Sequence, residues 1–345
     1  MNLIRHRAVL SLALLLVGAG LPMAAHAQNC VPVGQDLLVA DDPGAAMIRP
    51  RECSVVEQTP PDFSWPHLGA GPYTVTLTFP DSHTEQRTAT QNWLNWNGTL
   101  PAGSYLWTVT HAEQTSQPRQ FTVRADAVPF VVPDMTGVID HLLAKPHPRG
   151  LPDTATLQAM ASQRASAIQR VEGDVNFNFN DLGPLAGSEL KGNGIFYGRA
   201  ALKALSLYAY NGSAIYRDHA KTRLLRLASW DPRGPTALDD EEATFVAWVI
   251  TLGYDWLGPA LTAAEQSQVL ASLDTRIGDL YDFITGPLHW PTFNPPAGVN
   301  PPLWQWPRDS HRNLTVGVVA MMATLLVGDL PAANTWVREL LPFAL

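Results

Sequence analysis

Cysteine and charged residues are scarce in this sequence. Its 345 residues include two cysteines, too few to indicate a cysteine-ligated cluster or a haem protein. Charged residues make up 16 % of the chain, no run of lysine or arginine occurs, and the formal net charge is −8, which argues against nucleic-acid binding. Hydrophobic residues make up 46 %, enough apolar surface to exclude a disordered chain. The length predicts two domains, since single cores stop growing at roughly 250–300 residues.

The chain also lacks a long hydrophobic run after residue 27. Before that point, Arg5 and Arg7 precede an apolar stretch at 8–21, and Ala25 and Ala27 form a small-x-small cleavage site. This pattern predicts a secretory signal peptide at residues 1–27, because the stretch is shorter than the roughly 20 residues that a spanning helix needs. We therefore expect a periplasmic or secreted product that has no membrane segment after cleavage.

Both cysteines, Cys30 and Cys53, lie beyond the predicted cleavage site. A secreted protein meets an oxidising compartment, where a Cys30–Cys53 disulfide would tie down the mature N-terminus. The alternative is two unpaired thiols.

The segment at 28–128 has the pattern of short β-strands. Apolar residues occupy every second position at 73–79, and the same period returns at 105–109 and 121–123. Short strands separated by turn signals predict an immunoglobulin-like or fibronectin-like β-sandwich in this region.

Beyond Pro129 and Pro133 the apolar period becomes helical. One stripe consists of Phe245, Trp248, Val249, Leu252 and Trp256. Thr262 and Asp329 are expected N-caps. Short connections indicate antiparallel hairpins, whereas the two long loops at 173–194 and 286–308 are typical of functional segments. The helices are predicted at 134–145, 153–171, 195–210, 213–228, 239–256, 262–284, 310–327 and 331–344.

Several segments, in their order, resemble the heparinase II/III-like polysaccharide lyases. They are 61–66 (Pro-Asp-Phe-Ser-Trp-Pro), 100–107 (Leu-Pro-Ala-Gly-Ser-Tyr-Leu-Trp), 147–149 (His-Pro-Arg), 252–257 (Leu-Gly-Tyr-Asp-Trp-Leu) and 309–312 (Asp-Ser-His-Arg). The resemblance implies an immunoglobulin-like domain, an incomplete (α/α) toroid of helical hairpins and then β-sandwich domains. We accordingly expect residues 129–345 to form part of a toroid, with the chain ending before the toroid closes and before a C-terminal sandwich.

The resemblance also implies β-elimination on a uronic-acid polysaccharide. Such a reaction needs a group that neutralises the carboxylate, a base for the C5 proton and an acid for the leaving oxygen. His311, in the segment that resembles the family's histidine segment, is the candidate for proton transfer, and the helix N-terminus favours its neutral ring. Arg308, Arg312 and Asn313 are candidates for binding the carboxylate. Surface ion pairing is the alternative for the arginines.

Aromatic and amide side chains in the two long loops are candidates for sugar binding. Trp290, Trp304 and Trp306 have apolar faces and one N–H donor each, which suits sugar rings. Packing under the loop is the alternative. Asn193, in the first loop, and Tyr197, just after it, could line a saccharide cleft, although asparagine in a glycine-rich loop is also ordinary turn chemistry.

No tyrosine follows His311, although the related lyases have a catalytic one downstream. We therefore expect an N-terminal portion of a lyase that is inactive alone, with no cofactor and no metal. The acidic balance favours a weakly charged polyuronate over a sulfated one as its partner. Two alternatives stay open: a non-catalytic glycan-binding protein, or a toroidal glycoside hydrolase that uses two of the carboxylates Asp239, Glu242, Asp255 and Asp309.

Overall fold

The computed structural model describes residues 36–38, 46–178, 192–286, 302–305, 307 and 310–345. Within these residues a β-sheet region comes first and a helical region follows, as the change of period predicts. The last long strand ends at Pro129 and the first helix begins at Met135. The signal-peptide prediction at 1–27 lies outside the described residues. None of the described helices is long and apolar enough to cross a membrane.

The strands form one large sheet and one very small sheet. The large sheet has the order β1-β8-β6-β3-β4, with β7 paired to β6, and the small sheet pairs β2 with β5. All pairs are antiparallel except β1 with β8. The strands are β1 Ser54–Thr59, β2 Phe63–Ser64, β3 Tyr73–Thr78, β4 Thr84–Ala89, β5 Trp93–Leu94, β6 Gly103–His111, β7 Gln114–Thr115 and β8 Arg119–Pro129.

The period-two pattern at 73–79 marks a true half-buried strand. In β3 the side chains of Tyr73, Val75 and Leu77 are buried and those between them are partly exposed. They pack in one aromatic core with Phe63 and Trp107, whose ring centroids are 5.4 Å apart. The large and small sheets therefore bury their apolar faces together.

Arg119 of strand β8 contacts two carboxylates from the chain before β1. The buried Arg119 guanidinium lies 3.1 Å from the Asp36 carboxylate and 3.6 Å from that of Glu52. Cys53 is disulfide-bonded, and Cys30, its predicted partner, lies outside the described residues.

Helical hairpins make up the rest of the molecule. Helices α4 and α5, α6 and α7, and α8 and α9 pack as consecutive pairs, and α6 also packs against α4 and α8. The helices are α1 Met135–Ala144, α2 Thr154–Gln163, α3 Ala165–Asn178, α4 Asn193–Asn211, α5 Ala214–Ser229, α6 Asp240–Leu257, α7 Ala263–Thr285, α8 Ser310–Leu326 and α9 Ala333–Ala344. The single helix predicted at 153–171 is wrong, because the backbone leaves the helical conformation at Arg164 (φ −115°), between α2 and α3.

Helix α6 is buried on more faces than its apolar stripe predicts. Of the predicted stripe only Val249 is fully buried, whereas Phe245, Trp248, Leu252 and Trp256 are half-buried. Residues outside the stripe, polar ones included, are buried because α6 contacts α4, α5, α7 and α8. The predicted stripe is therefore the least buried face of α6 rather than its core face, because the neighbouring helices bury its small and polar positions instead.

One predicted helix cap is confirmed and the other is wrong. The Thr262 side chain accepts from the Glu265 N–H at 3.3 Å, and the Glu265 carboxylate accepts from the Thr262 N–H at 2.7 Å, which forms a capping box. Helix α9 begins at Ala333 with Ala332 at its N-cap position, so Asp329 is not its cap. The Asp329 carboxylate is instead drawn into an ionic cluster.

This cluster centres on His147, in the segment between α1 and α2. Its Nδ1 lies 2.6 Å from Asp255 Oδ1 and its Nε2 lies 2.9 Å from Asp329 Oδ2. Because both partners are carboxylates, both ring nitrogens donate and the ring is a cation. Asp255 is fully buried and also accepts the backbone N–H groups of Arg149 and Gly150, each at 2.8 Å.

The pKa values follow from this geometry. The hydrogen bonds to Asp255 and Asp329 raise the pKa of His147 from 6.5 to about 9, against the opposing effect of burial. Burial tends to raise the pKa of Asp329, but the hydrogen bond and charge of His147 lower it overall. The cluster joins the α1–α2 segment, helix α6 and the turn after α8 through charges that are largely removed from water.

We expect the His147 cluster to make stability fall with pH on the alkaline side. A raised pKa in the folded state means that the stabilisation is fully present below pH 6.5 and is lost as pH rises through about 9. The shift corresponds to about 3 kcal/mol across that window. Urea unfolding at several pH values measures this slope.

Two histidine variants, one as test and one as control, check the origin of this slope. His147→Gln should flatten the slope between pH 6.5 and 9, whereas the same change at His141, which is exposed on α1, should leave it intact. An equal slope in wild type and His147→Gln would contradict the assignment.

Candidate functional site

The N-terminal ends of three helices meet at one end of the helical region. Glu242, in the first turn of α6, accepts the backbone N–H groups of Gly192 at 2.7 Å and Gly194 at 2.8 Å, so it caps the start of α4. A Cβ at Gly194 would lie 2.6 Å from Val246 Cγ2, which requires glycine where the helices touch. The Glu242 side chain is therefore a structural cap, with both carboxylate oxygens engaged.

The four acidic residues at 239–242 differ in their partners and in their exposure. Asp239 is the N-cap of α6 and accepts the N–H groups of Glu241 at 3.1 Å and Glu242 at 3.3 Å. Asp240 is 1 % exposed and its Oδ2 lies 2.9 Å from Nδ1 of His311, at the start of α8. Only Glu241 is exposed. The run is more than negative charge at a helix N-terminus, because two of its members bind neighbouring helices.

His311 lies between a buried carboxylate and solvent. Its side chain is 36 % exposed, and a second carboxylate oxygen, that of Glu241, lies 4.0 Å from Nδ1. Because the Asp240 carboxylate can only accept, Nδ1 carries the proton in this contact. In a neutral ring the lone pair is then on Nε2, which is the state of a base that removes a proton. His311 is thus a partly exposed histidine whose Nδ1 contacts a buried carboxylate.

Arg312 does not fit the carboxylate-binding role. Its side chain is fully buried, and its guanidinium carbon lies 5.8 Å from the centre of the Phe283 ring on α7. Successive residues of a helix point about 100° apart, so Arg312 enters the core where His311 faces solvent. In this structure the guanidinium is out of reach of a polymer. Arg308 lies outside the described residues.

Tyr197 is likewise a core residue. It is 2 % exposed, with the Arg223 guanidinium 4.6 Å from its ring centre and the Trp230 ring centroid at 5.5 Å. Burial raises the pKa of its hydroxyl. Its proposed contact with sugar is therefore not supported. Asn193 opens α4 between the two glycines that Glu242 caps, and it is half-buried.

Trp304 packs at the junction of the sheet and helical regions. It is 8 % exposed, its ring centroid is 6.2 Å from that of Phe343 on α9, and its backbone oxygen accepts from Asn92 Nδ2 at 2.9 Å. Most of the Trp304 side chain is therefore packed, as the alternative to sugar binding predicts. Trp290 and Trp306 lie outside the described residues.

Beside Trp304 a cleft of about 340 Å³ separates the small β2–β5 sheet from the start of α8 and the end of α9. Asn313 lines it, is exposed, and donates from its side chain to the Pro307 carbonyl. The predicted site residues therefore divide. His311 faces Asp240, whereas Asn313 and Trp304 face the cleft.

Sequence reasoning missed the partners of these residues. The sequence marks Asp240 only as part of an acidic run. Its contact with His311 joins positions that are 71 apart in the chain. Arg49, Asp62 and Trp93, which line the cleft from the sheet region, gave no functional signal. In the part of the chain that is described, no group of three or more His, Cys, Asp or Glu side chains could hold a metal ion.

No known protein-family model matches this sequence, and no curated protein is significantly similar to it.

We expect Asp240 to fix the tautomer of His311. In Asp240→Asn the side-chain amide can donate as well as accept, so the ring loses the partner that requires a proton on Nδ1. Nitrogen-15 NMR of the imidazole should show the Nδ1–H form in the wild-type neutral ring and a shift toward the Nε2–H form in the variant. Glu241→Gln, which removes the more distant carboxylate, is the matched control. An unchanged tautomer in Asp240→Asn would contradict this assignment.

Proposed function

We propose that this chain belongs to a polysaccharide lyase that cleaves a uronic-acid polymer by β-elimination, with His311 as a proton-transfer residue. The observation that supports the proposal most is the pair formed by His311 and the buried Asp240 at the shared end of α4, α6 and α8. The resemblance of 309–312 to the histidine segment of heparinase II/III-like lyases points to the same residue.

The elimination uses groups of the kind found at this end of the helices. With Nδ1 bound to Asp240, Nε2 of His311 accepts the C5 proton of a uronate unit. The electron pair forms the C4=C5 double bond, the C4–O bond breaks, and an acid protonates the leaving oxygen. Of the described candidates for binding the uronate carboxylate, Arg312 is buried and Asn313 lines the cleft, so neither contributes the neutralising group beside His311. No nucleophile is needed.

The helix arrangement supports a toroid. Helices α4, α6 and α8 run in the same direction side by side, as the contacts of Gly194 and Gly198 with α6 and of Thr244 with Thr315 require. Their partners α5, α7 and α9 return in the opposite direction within each hairpin. An (α/α) toroid has such inner and outer helices, so we propose a partial toroid at 129–345 behind an immunoglobulin-like region at 28–128.

The described carboxylates of the hydrolase alternative already accept structural hydrogen bonds. Asp239 caps α6, Glu242 caps α4, and Asp255 accepts three donors in the His147 cluster. An inverting hydrolase needs two carboxylates that flank a sugar, one of them holding a proton. Asp309 lies outside the described residues. The geometry therefore favours the lyase.

Secretion is part of the proposal. The signal-peptide pattern at 1–27 supports export to the periplasm or medium. The disulfide at Cys53 agrees with it, because such bonds persist in oxidising compartments.

We expect the purified chain to bind polyuronates without cleaving them by hydrolysis. Affinities for alginate, polygalacturonate and unsulfated chondroitin oligosaccharides are measured by calorimetry. Products are followed both as ultraviolet absorbance of unsaturated ends and as reducing ends. His311→Ala should weaken binding by about 3–10-fold, the value of one polar contact, and His141→Ala should leave it unchanged.

The outcomes separate the candidate functions. Reducing ends without ultraviolet absorbance would favour a hydrolase and contradict the proposal, as would absence of binding to every uronate polymer. Binding that His311→Ala leaves intact would favour a glycan-binding protein. Ultraviolet absorbance that His311→Ala abolishes would support the lyase, and would show that the 345-residue chain needs no downstream tyrosine.

A further inference from the structure

The cleft between the sheet and helical regions has the walls of a small-molecule site. Its volume of about 340 Å³ lies at the lower end of the roughly 300–1,000 Å³ that such sites have. Trp93, Trp304 and Phe343 supply aromatic wall, with the Phe343 ring centroid 5.5 Å from that of Trp93 and 6.2 Å from that of Trp304. Aromatic faces of this kind suit the apolar faces of sugar rings.

Arg49 provides the cleft with an available cation. Its side chain is exposed, and among the described residues its guanidinium makes no ion pair or hydrogen bond, whereas the guanidinium groups of Arg87, Arg119 and Arg124 are each paired with a carboxylate. The Arg49 backbone is fixed, because its N–H and carbonyl both bond to Ser64 of β2, at 2.9 and 3.0 Å. A fixed backbone with an unengaged guanidinium is suited to bidentate recognition of a carboxylate.

The remaining polar groups of the cleft suit hydroxyls. Asp62 is exposed and is an acceptor, while Asn95 and Asn313 each have an amide. The Asn95 amide is held by a hydrogen bond to the Pro342 carbonyl at 2.8 Å, so its position is set by the junction of the two regions. One cation, one anion and two amides match a sugar that has one carboxylate and several hydroxyls. A purely apolar segment would leave Arg49 and Asp62 unmatched.

We propose that this cleft is a subsite for one uronic-acid unit of a polysaccharide, with its carboxylate on Arg49 and its hydroxyls on Asp62, Asn95 and Asn313. This rests on the proposed function for the identity of the polymer. Asn313 is two residues from His311 on α8, so the two side chains point to roughly opposite sides of this helix, and the subsite is separate from the position that His311 faces. The sheet region thereby takes part in substrate binding, and Arg49 supplies the positive charge that the buried Arg312 does not.

The test compares a charged ligand with a neutral one. Tetrasaccharides of mannuronate, galacturonate and unsulfated chondroitin are titrated by calorimetry, beside the same compounds with their carboxyl groups reduced to alcohols. Arg49→Gln should weaken binding of the charged ligands by about 10-fold or more, because a hydrogen bond to a charged group is lost. Its effect on the reduced ligands should be less than about 3-fold, within the range of a neutral contact.

Arg51→Gln is the matched control, since Arg51 is also exposed, lies two residues away and does not line the cleft. It should bind the charged ligands like wild type. The indole N–H signals of Trp93 and Trp304 should shift on titration in wild type, and they should shift less in Arg49→Gln at the same ligand concentration.

The outcomes distinguish the subsite from the reaction. Equal loss for Arg49→Gln and Arg51→Gln, unchanged affinity in Arg49→Gln, or unmoved indole signals would overturn the subsite even if His311→Ala weakens binding as the lyase requires. A selective loss in Arg49→Gln together with no effect of His311→Ala would support the subsite and reject the role of His311.

Discussion

Three buried carboxylates on helix α6 each require a hydrogen-bond donor. The donors come from neighbouring segments of the helical region, so these contacts constrain how its helices are arranged. Asp240, Glu242 and Asp255 are all at most 2 % exposed. A buried carboxylate without partners costs several kcal/mol. Glu242 is satisfied by the start of α4, Asp240 by the first turn of α8, and Asp255 by the segment at 147–150. The helix ends are therefore aligned by charge as well as by apolar packing.

The elements that depend on local sequence were predictable, and those that depend on neighbours were not. The capping box at Thr262 needs only residues three apart, and the period-two pattern of β3 needs only one half-buried face. Asp329 also had the sequence context of a cap, but its carboxylate bonds to His147, 182 residues away. Likewise the α6 stripe located the helix but marked its least buried face, because the positions of four packed neighbours cannot be read from one period.

The candidate site shows the same division between residue type and environment. His311 was predicted from the resemblance of its segment and from its place at a helix start, and the structure places it partly exposed beside a buried acid. Arg312 and Tyr197 had suitable chemistry for a sugar or carboxylate, yet both side chains point into the core. Whether a polar residue faces solvent depends on the rotation of its helix against partners distant in sequence. Arg49 shows the converse, since no local pattern marks it and only the junction of the two regions places it in a cleft.

The central position of α6 has a consequence for how the molecule opens. Arrays of helical hairpins whose units contact only their neighbours lose structure progressively from either end. Here the removal of α6 would leave the start of α4, the first turn of α8 and the segment before α2 without their carboxylate partners at the same moment. We therefore expect sub-global opening to involve these elements together. The carboxylates of a single helix thus link the opening of segments that are far apart in the chain.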